Sequence, residues 1–222
     1  MQSGMLRILI ADDHDLLRRG AKALLQSHAG WEVCGEATTG REAVAKAEEL
    51  KPDIVILDVS MPDLNGVDAA KRIRKALPDT EILILSVYSP DQLIPDILEA
   101  GVREYIVKAD SGRDPIAAVE ALANHKPFFT AQATELMLTK FNKGRFRSEK
   151  PAELPIPDRL TSREREVVQL LAEGKSTKEV ASSLFVSVKT AETHRANVMR
   201  KLKVYSVTEL VRYAVRHKII EP

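Results

Sequence analysis

"ILIADDHDLLRRG", Ile8 to Gly20, opens as an apolar run suited to a buried strand and then turns abruptly into Asp12, Asp13, His14 and Asp15. The residues that follow, LLRRGAKALLQS, carry the spacing of an amphipathic helix. The stretch therefore reads as strand, turn, helix, and the same alternation recurs downstream. WEVCGEA precedes GREAVAKAEEL, DIVILD precedes GVDAAKRIRKAL, EILILSV precedes DQLIPDILEAG, and EYIVK precedes DPIAAVEALAN. Runs such as DIVIL and EILIL are continuous rather than alternating, which suits strands covered on both faces. Five βα repeats between Leu6 and about Leu122 thus predict an α/β fold, a five-stranded parallel sheet flanked by helices. Right-handed crossovers make it doubly wound and place ligands beyond the C-terminal ends of the strands.

Clustered like charges at a strand end repel one another and resist removal from water, so folding alone has little use for them. Either something cationic belongs there, or the acids form a solvated turn that also caps the next helix. The other strand ends bear on this choice. Asp58 follows the third strand, Ser86 the fourth and Lys108 the fifth. Each has an ordinary use, as a cap, a turn residue or a solvated cation. Their convergence on one sheet edge is harder to explain that way.

The chain of 222 residues is long enough for two domains, and its 44% hydrophobic and 29% charged residues are those of an ordinary globular protein. No apolar run approaches the ~20 residues that span a bilayer, so no membrane association is expected. The start, MQSGMLRILIADD, lacks a secretory pattern. Cys34 is the single cysteine, which excludes an internal disulfide and a multi-cysteine zinc site and fits a reducing cytoplasm. Within WEVCGEA it reads as an inert strand thiol.

The net charge of +1 conceals an asymmetry. Residues 1–125 hold 14 Lys and Arg against 21 Asp and Glu, a net of −7, whereas residues 126–222 hold 19 against 11, a net of +8. A basic second half suggests a polyanion such as nucleic acid, and an acidic first half a metal or a basic partner.

Domain limits follow from the same pattern: residues 1–125, a connecting helix and linker over 126–158, and a helical domain over 159–222. The connector shows a short amphipathic pattern, Thr134 to Phe141, and then loses periodicity among Gly144, Pro151, Pro155 and Pro157. Capping boxes are expected at Thr161 with Glu164, Ser176 with Glu179 and Ser206 with Glu209. The helices read SREREVVQLLAEG, TKEVASSL, VKTAETHRANVMRKL and VTELVRYAVRHKI, with the second and third joined by FVS and Ser187 as N-cap, a helix-turn-helix layout. Val188, Ala191, His194, Val198 and Leu202 should face the small core, and the last helix puts Leu210, Val211, Ala214 and Val215 on one side, a surface open to a second copy of the chain. Lys189, Thr190, Glu192, Thr193, Arg195, Ala196 and Asn197 lie near the N-terminal end of the long helix, the part that normally faces groove edges and phosphates. Arg200, Lys201 and Lys203 can add affinity for a polyanion backbone.

Two motif sets now agree. The first is DD at 12–13, LDVSMPDLNG around Asp58, LSV at Ser86 and YIVK at Lys108; the second is LTSREREVVQLLAEGKSTKEVASSL with VSVKTAETHRANVMRKL. The whole chain resembles the NarL/FixJ-type response regulators of two-component systems, which join a receiver of flavodoxin-like strand order 2-1-3-4-5 to a LuxR-type four-helix DNA-binding domain. The resemblance implies that Asp12, Asp13, Asp58 and the backbone carbonyl of Ser60 hold Mg2+, with Mn2+ as an alternative. It implies that Asp58 accepts a phosphoryl group from a sensor histidine kinase, that Lys108 and Ser86 bind the phosphoryl oxygens, and that Ser86 and Tyr105 act as the switch. Glu192 and Thr193 occupy positions where such relatives place base-reading residues, and a glutamate can accept from a cytosine amino group. DNA, a homodimer when phosphorylated, and RNA polymerase complete the partners it implies, all in the cytoplasm.

Pro95 falls inside DQLIPDILEAG, so that helix is expected to start late, near Ile94. Ala109 follows Lys108 where receivers often carry proline, so a cis bond is not to be assumed there. Haloacid-dehalogenase-type phosphatases also use a strand-end Asp with Mg2+, but they resemble one another in a second acid two residues later, and here that residue is Ser60. The chain is therefore expected to catalyse its own phosphorylation and slow dephosphorylation only. A constitutive DNA-binding protein with a vestigial receiver would have lost an acid or Lys108, and all are present.

Overall fold

The computed structural model describes residues 5–86, 100, 102, 104–107, 115–124, 126, 128–129 and 160–220. The chain divides into two compact units, one built on a sheet and one wholly helical.

In the first unit the described elements, in chain order, are β1 (Leu6–Ala11), α1 (Asp15–Gln26), β2 (Trp31–Ala37), α2 (Gly40–Leu50), β3 (Ile54–Asp58), α3 (Gly66–Ala76), β4 (Glu81–Ser86), β5 (Glu104–Val107), α4 (Pro115–Ala123) and β6 (Phe128–Phe129). All strand pairs are parallel, in the order β2-β1-β3-β4-β5-β6. The first five follow the expected 2-1-3-4-5 order. The sixth is a correction: β6 extends the sheet past the domain limit at residue 125. A strand of two residues has no periodicity to read, so pattern alone puts Phe128 and Phe129 in the connector. Of the expected helices over 91–101 and 134–141 only Ala100 is among the described residues; Pro95 and the Lys108–Ala109 bond lie outside them.

The continuous apolar strands are covered on both faces, as their composition demands. Ile8, Ile10, Ile54, Ile56 and Leu83 pack with Leu25 of α1 and Ala118, Val119 and Leu122 of α4. Alternation turns Leu9, Val55, Leu57, Ile82 and Ile84 to the other face, all fully buried, where α2 and α3 present the buried Ala43, Ala47, Ala69, Ala70 and Ile73. The β1–β2 register shifts between Ile8 and Leu9, so Cys34 has no partner in the ladder. Its thiol is half-buried, donates to the Ile8 carbonyl at 3.4 Å, and is pushed up in pKa by burial, which suits an inert group.

The second unit holds α5 (Ser162–Ala172), α6 (Thr177–Ser183), α7 (Val188–Leu202) and α8 (Val207–Arg216). Thr161 and Ser176 form complete capping boxes with Glu164 and Glu179. The third expected box is only half formed. Ser206 accepts from Glu209 N, but the Glu209 carboxylate takes the Tyr205 N–H at 2.6 Å instead of the N-cap's own. Val167, Val168, Leu170, Leu171, Val180, Leu184, Ala191, Val198, Leu210 and Ala214 form the core. Leu202 packs against it, and His194 is half-buried. Val188 does not face it: at the first position of α7 the chain is still leaving the turn, and the side chain is 40% exposed. Arg163 ties α5 to the end of α6, donating to the buried Glu166 at 3.0 Å and to the Leu184 carbonyl at 2.8 Å.

Candidate functional site

The sheet positions the acids. β1 and β3 run in parallel with Ala11 opposite Leu57, so Asp12 leaves β1 level with Asp58 at the end of β3. Both are buried, at 3% and 2% exposure. Asp13, one residue on, keeps a third of its side chain exposed. One ligand atom from each of Asp12, Asp13, His14 and Asp58 lies within 4.8 Å of the others. At that separation two carboxylates repel by about 3 kcal/mol at an effective dielectric near 20.

The alternative use of these acids, as a cap, is not what the turn does. The N-cap of α1 is His14, which makes no side-chain capping bond. Asp12 instead accepts the His14 N–H at 2.8 Å, and the His14 ring nitrogen Nδ1 stands 2.9 Å from Asp13 and 3.3 Å from Asp12. Three carboxylates form an oxygen-rich donor set that suits a small, hard divalent cation, with His14 at its exposed rim.

Three supports were not singled out in the sequence. Gly66, at the start of α3, has no room for a side chain: a Cβ there would stand 1.9 Å from the Asp58 carbonyl oxygen. Its N–H donates to Val59 O at 2.9 Å, so α3 begins pressed against the strand end that carries Asp58. Asn65 fixes that start by accepting from Asp68 N and donating to the Asp68 carboxylate, both at 2.9 Å. On the other side Arg18 donates to the Asp12 carbonyl at 2.9 Å, to Asp15 at 2.7 Å and to Glu36 at 3.2 Å. Lys22 completes this brace at 2.5 Å, and its hydrogen bond, followed by that of Arg18, holds the Glu36 carboxyl below its ordinary pKa. The signals in the sequence were the glycine after Asn65 and the two arginines after Asp15.

Ser86 ends β4 fully buried, one residue past the Leu85 that faces Asp58. Ser60 is half-buried in the bend after β3. The Tyr105 backbone pairs with Ile84, and Lys108 lies outside the described residues.

On α7, Lys189, Thr190, Glu192, Thr193, Ala196, Asn197 and Arg200 are exposed. Ser187 caps the helix by accepting from Thr190 N at 3.1 Å. Arg195 is half-buried and donates to Thr177 at 3.1 Å, and Asn197 accepts from Arg200 at 2.9 Å. Lys201 is engaged with Glu164 at 2.6 Å, so it braces α7 against α5.

Residues 8–120 match the model of the response regulator receiver domain, more than half of the chain. The chain belongs to the response regulators. Residues 158–214 of this response regulator match the luxR family of bacterial regulatory proteins. It is 37% identical over 216 residues to the response regulator protein VraR of Staphylococcus aureus, covering 97% of this chain and 99% of that one. Among solved structures it is similar to RcsB from Salmonella enterica serovar Typhimurium bound to promoter rprA in the presence of a phosphomimetic, with 26% identity, a TM-score of 0.59, and coverage of 94% and 97%. It also matches a LuxR-family two-component response regulator from Aurantimonas, with 26% identity and a TM-score of 0.57, over 61% of this chain and 97% of that one. Among the described residues, no helix is long and apolar enough to cross a membrane.

Proposed function

We propose that this response regulator is a phosphorylation-controlled, DNA-binding transcription regulator of a bacterial two-component system. The observation that carries the reading is the pair of buried carboxylates, Asp12 and Asp58, held level at adjacent strand ends beside a buried Ser86. Asp58 is the phosphoacceptor. A carboxylate oxygen bonds to phosphorus as the phosphorus–nitrogen bond of a sensor histidine kinase's phosphohistidine breaks, and the freed imidazole recovers a proton. Asp12, Asp13, Asp58 and the Ser60 backbone carbonyl are the residues that would hold Mg2+, or Mn2+ in its place. When bound, that ion neutralises phosphoryl oxygens as charge spreads over them. Lys108 balances the remaining charge, and the Ser86 hydroxyl donates to the new phosphoryl group. Ser86 and Tyr105 then bias the receiver between two packings. No acid stands at Ser60 to drive turnover, so the chemistry is limited to self-phosphorylation and slow dephosphorylation.

The output is promoter binding by a phosphorylated homodimer in the cytoplasm, with RNA polymerase as a further partner. Lys189, Thr190, Arg195, Asn197 and Arg200 contact the backbone and groove edges, and Glu192 and Thr193 read bases. The promoter-bound state of RcsB supports this reading by similarity. The test is fluorescence anisotropy of the full chain on a pool of random-sequence 30-base-pair duplexes, with and without acetyl phosphate and Mg2+, alongside its size by light scattering. Phosphorylated wild type is expected to bind more tightly and as a dimer, and Asp58→Ala to show neither change. A chain that binds no duplex in either state refutes the reading.

A further inference from the structure

We propose that Phe185 is a DNA-contacting residue, packing on the deoxyribose carbons of the backbone where α7 enters the groove. The inference rests on the DNA-binding reading of the helical unit and adds to it a residue that no motif named.

Phe185 sits just beyond the C-cap of α6, at φ 53°, in the left-handed region. Two hydrogen bonds hold the turn, from Phe185 N to Ser182 O at 3.2 Å and from Val186 N to Ala181 O at 3.0 Å. Glycine is the usual occupant of such a position, because a side chain is strained there. The other described non-glycine residues with positive φ are Lys51, Asp63, Lys203 and Lys218, all charged. Phe185 is the single apolar one, and its ring has no internal use: it is 91% exposed, more than any other large hydrophobic among the described residues. Leu184 before it is buried and Val186 after it packs on the core, so the turn is anchored on both sides and the ring is directed outward. A residue that is both strained and unpacked is better explained by what it meets outside the fold.

The surroundings say what that is. Ser187, Lys189 and Thr190 follow within five residues, all exposed, and Val188 adds a 40% exposed apolar side chain between them. A protein partner would call for a contiguous apolar patch. An exposed ring followed in the chain by a cation and two hydroxyls, with only the smaller Val188 between them, instead matches the alternation of sugar and phosphate along a nucleic-acid backbone. The net charge of +8 over residues 126–222 favours the same polyanion.

The test uses the full chain, phosphorylated with acetyl phosphate, on the same random duplex pool across a salt series. Phe185→Gly is expected to weaken binding about tenfold while the melting temperature of the helical unit holds or rises, since glycine relieves the strain. An apolar contact releases no counterions, so the slope of log affinity against log salt should stay at the wild-type value, whereas Lys189→Ala should lower it by about 1. Phe185→Leu should retain most of the affinity. If Phe185→Gly binds within about twofold of wild type while wild type binds well, the proposal is overturned and the DNA reading stands. If wild type binds no duplex, both are overturned.

Discussion

Gly66→Ala puts the geometry around Asp58 under direct test. The added Cβ would meet the Asp58 carbonyl oxygen at 1.9 Å, its carbonyl carbon at 2.8 Å and Val59 Cα at 3.1 Å, where real contacts stay beyond 3.0 Å. The difference, 3.0 less 1.9, is about 1.1 Å of forced movement, and every atom in the way is backbone. Either the end of β3 shifts, carrying Asp58 with it, or α3 lifts and loses the Gly66 N–H bond to Val59 O. Overpacking of this kind costs about 1–3 kcal/mol, and the lost hydrogen bond adds about 1 kcal/mol. For a receiver-sized unit, about 3 kcal/mol lowers the melting temperature by roughly 10 °C. A reacting group misplaced by about 1 Å also loses on the order of a hundredfold in rate. Gly20→Ala is the matched control: this glycine lies within α1 with nothing within 4 Å of its Cβ position, so alanine should stabilise by about 0.5–1 kcal/mol. Melting followed by circular dichroism, with acetyl phosphate labelling timed by intact mass, reads both effects. A Gly66→Ala protein that melts and labels like wild type would refute the reasoning.

Other expectations follow from the charges. In EDTA, Asp12→Asn should stabilise the receiver by about 1–3 kcal/mol by relieving carboxylate repulsion, and added Mg2+ should then raise the melting temperature of wild type but not of the variant; equal responses to Mg2+ would contradict the metal site. Glu164 is held below its ordinary pKa, because its hydrogen bonds from Lys201 and Thr161 outweigh the larger single effect of burial, which pushes it up. Its folded pKa is depressed, so the stability it contributes is present above the unfolded value of 4.5 and is lost as pH falls through the folded one. Glu164→Gln should therefore flatten the acid limb of helical-unit stability below about pH 4.5, measured by urea titration at successive pH values, and an unchanged limb would remove Lys201 as its partner.

What the sequence revealed and what it hid divide along physical lines. Long apolar runs such as Ile54–Leu57 announce buried strands because burial on both faces leaves no polar position to interrupt them. The helix starts at Thr161, Ser176 and Ser187 were readable because capping chemistry is local. Hidden features depend on contacts between distant segments or on too few residues. β6 forms from two residues against β5, Lys201 reaches Glu164, and Gly66 is excluded from bearing a side chain by Asp58. Glu209 departs from the capping box because two backbone N–H groups lie within its reach, and spacing alone cannot choose between Tyr205 and Ser206. At the acidic edge, strand ends gave the roster of side chains, but the brace of Arg18, Lys22 and Glu36 emerged only when α1 met β2.

Intact mass of wild type and Asp58→Ala, after incubation with acetyl phosphate and Mg2+, is the most direct test of Asp58 as phosphoacceptor. A single phosphoryl adduct in wild type, absent from Asp58→Ala and abolished by EDTA, is the expected result. An adduct that persists in Asp58→Ala would contradict it.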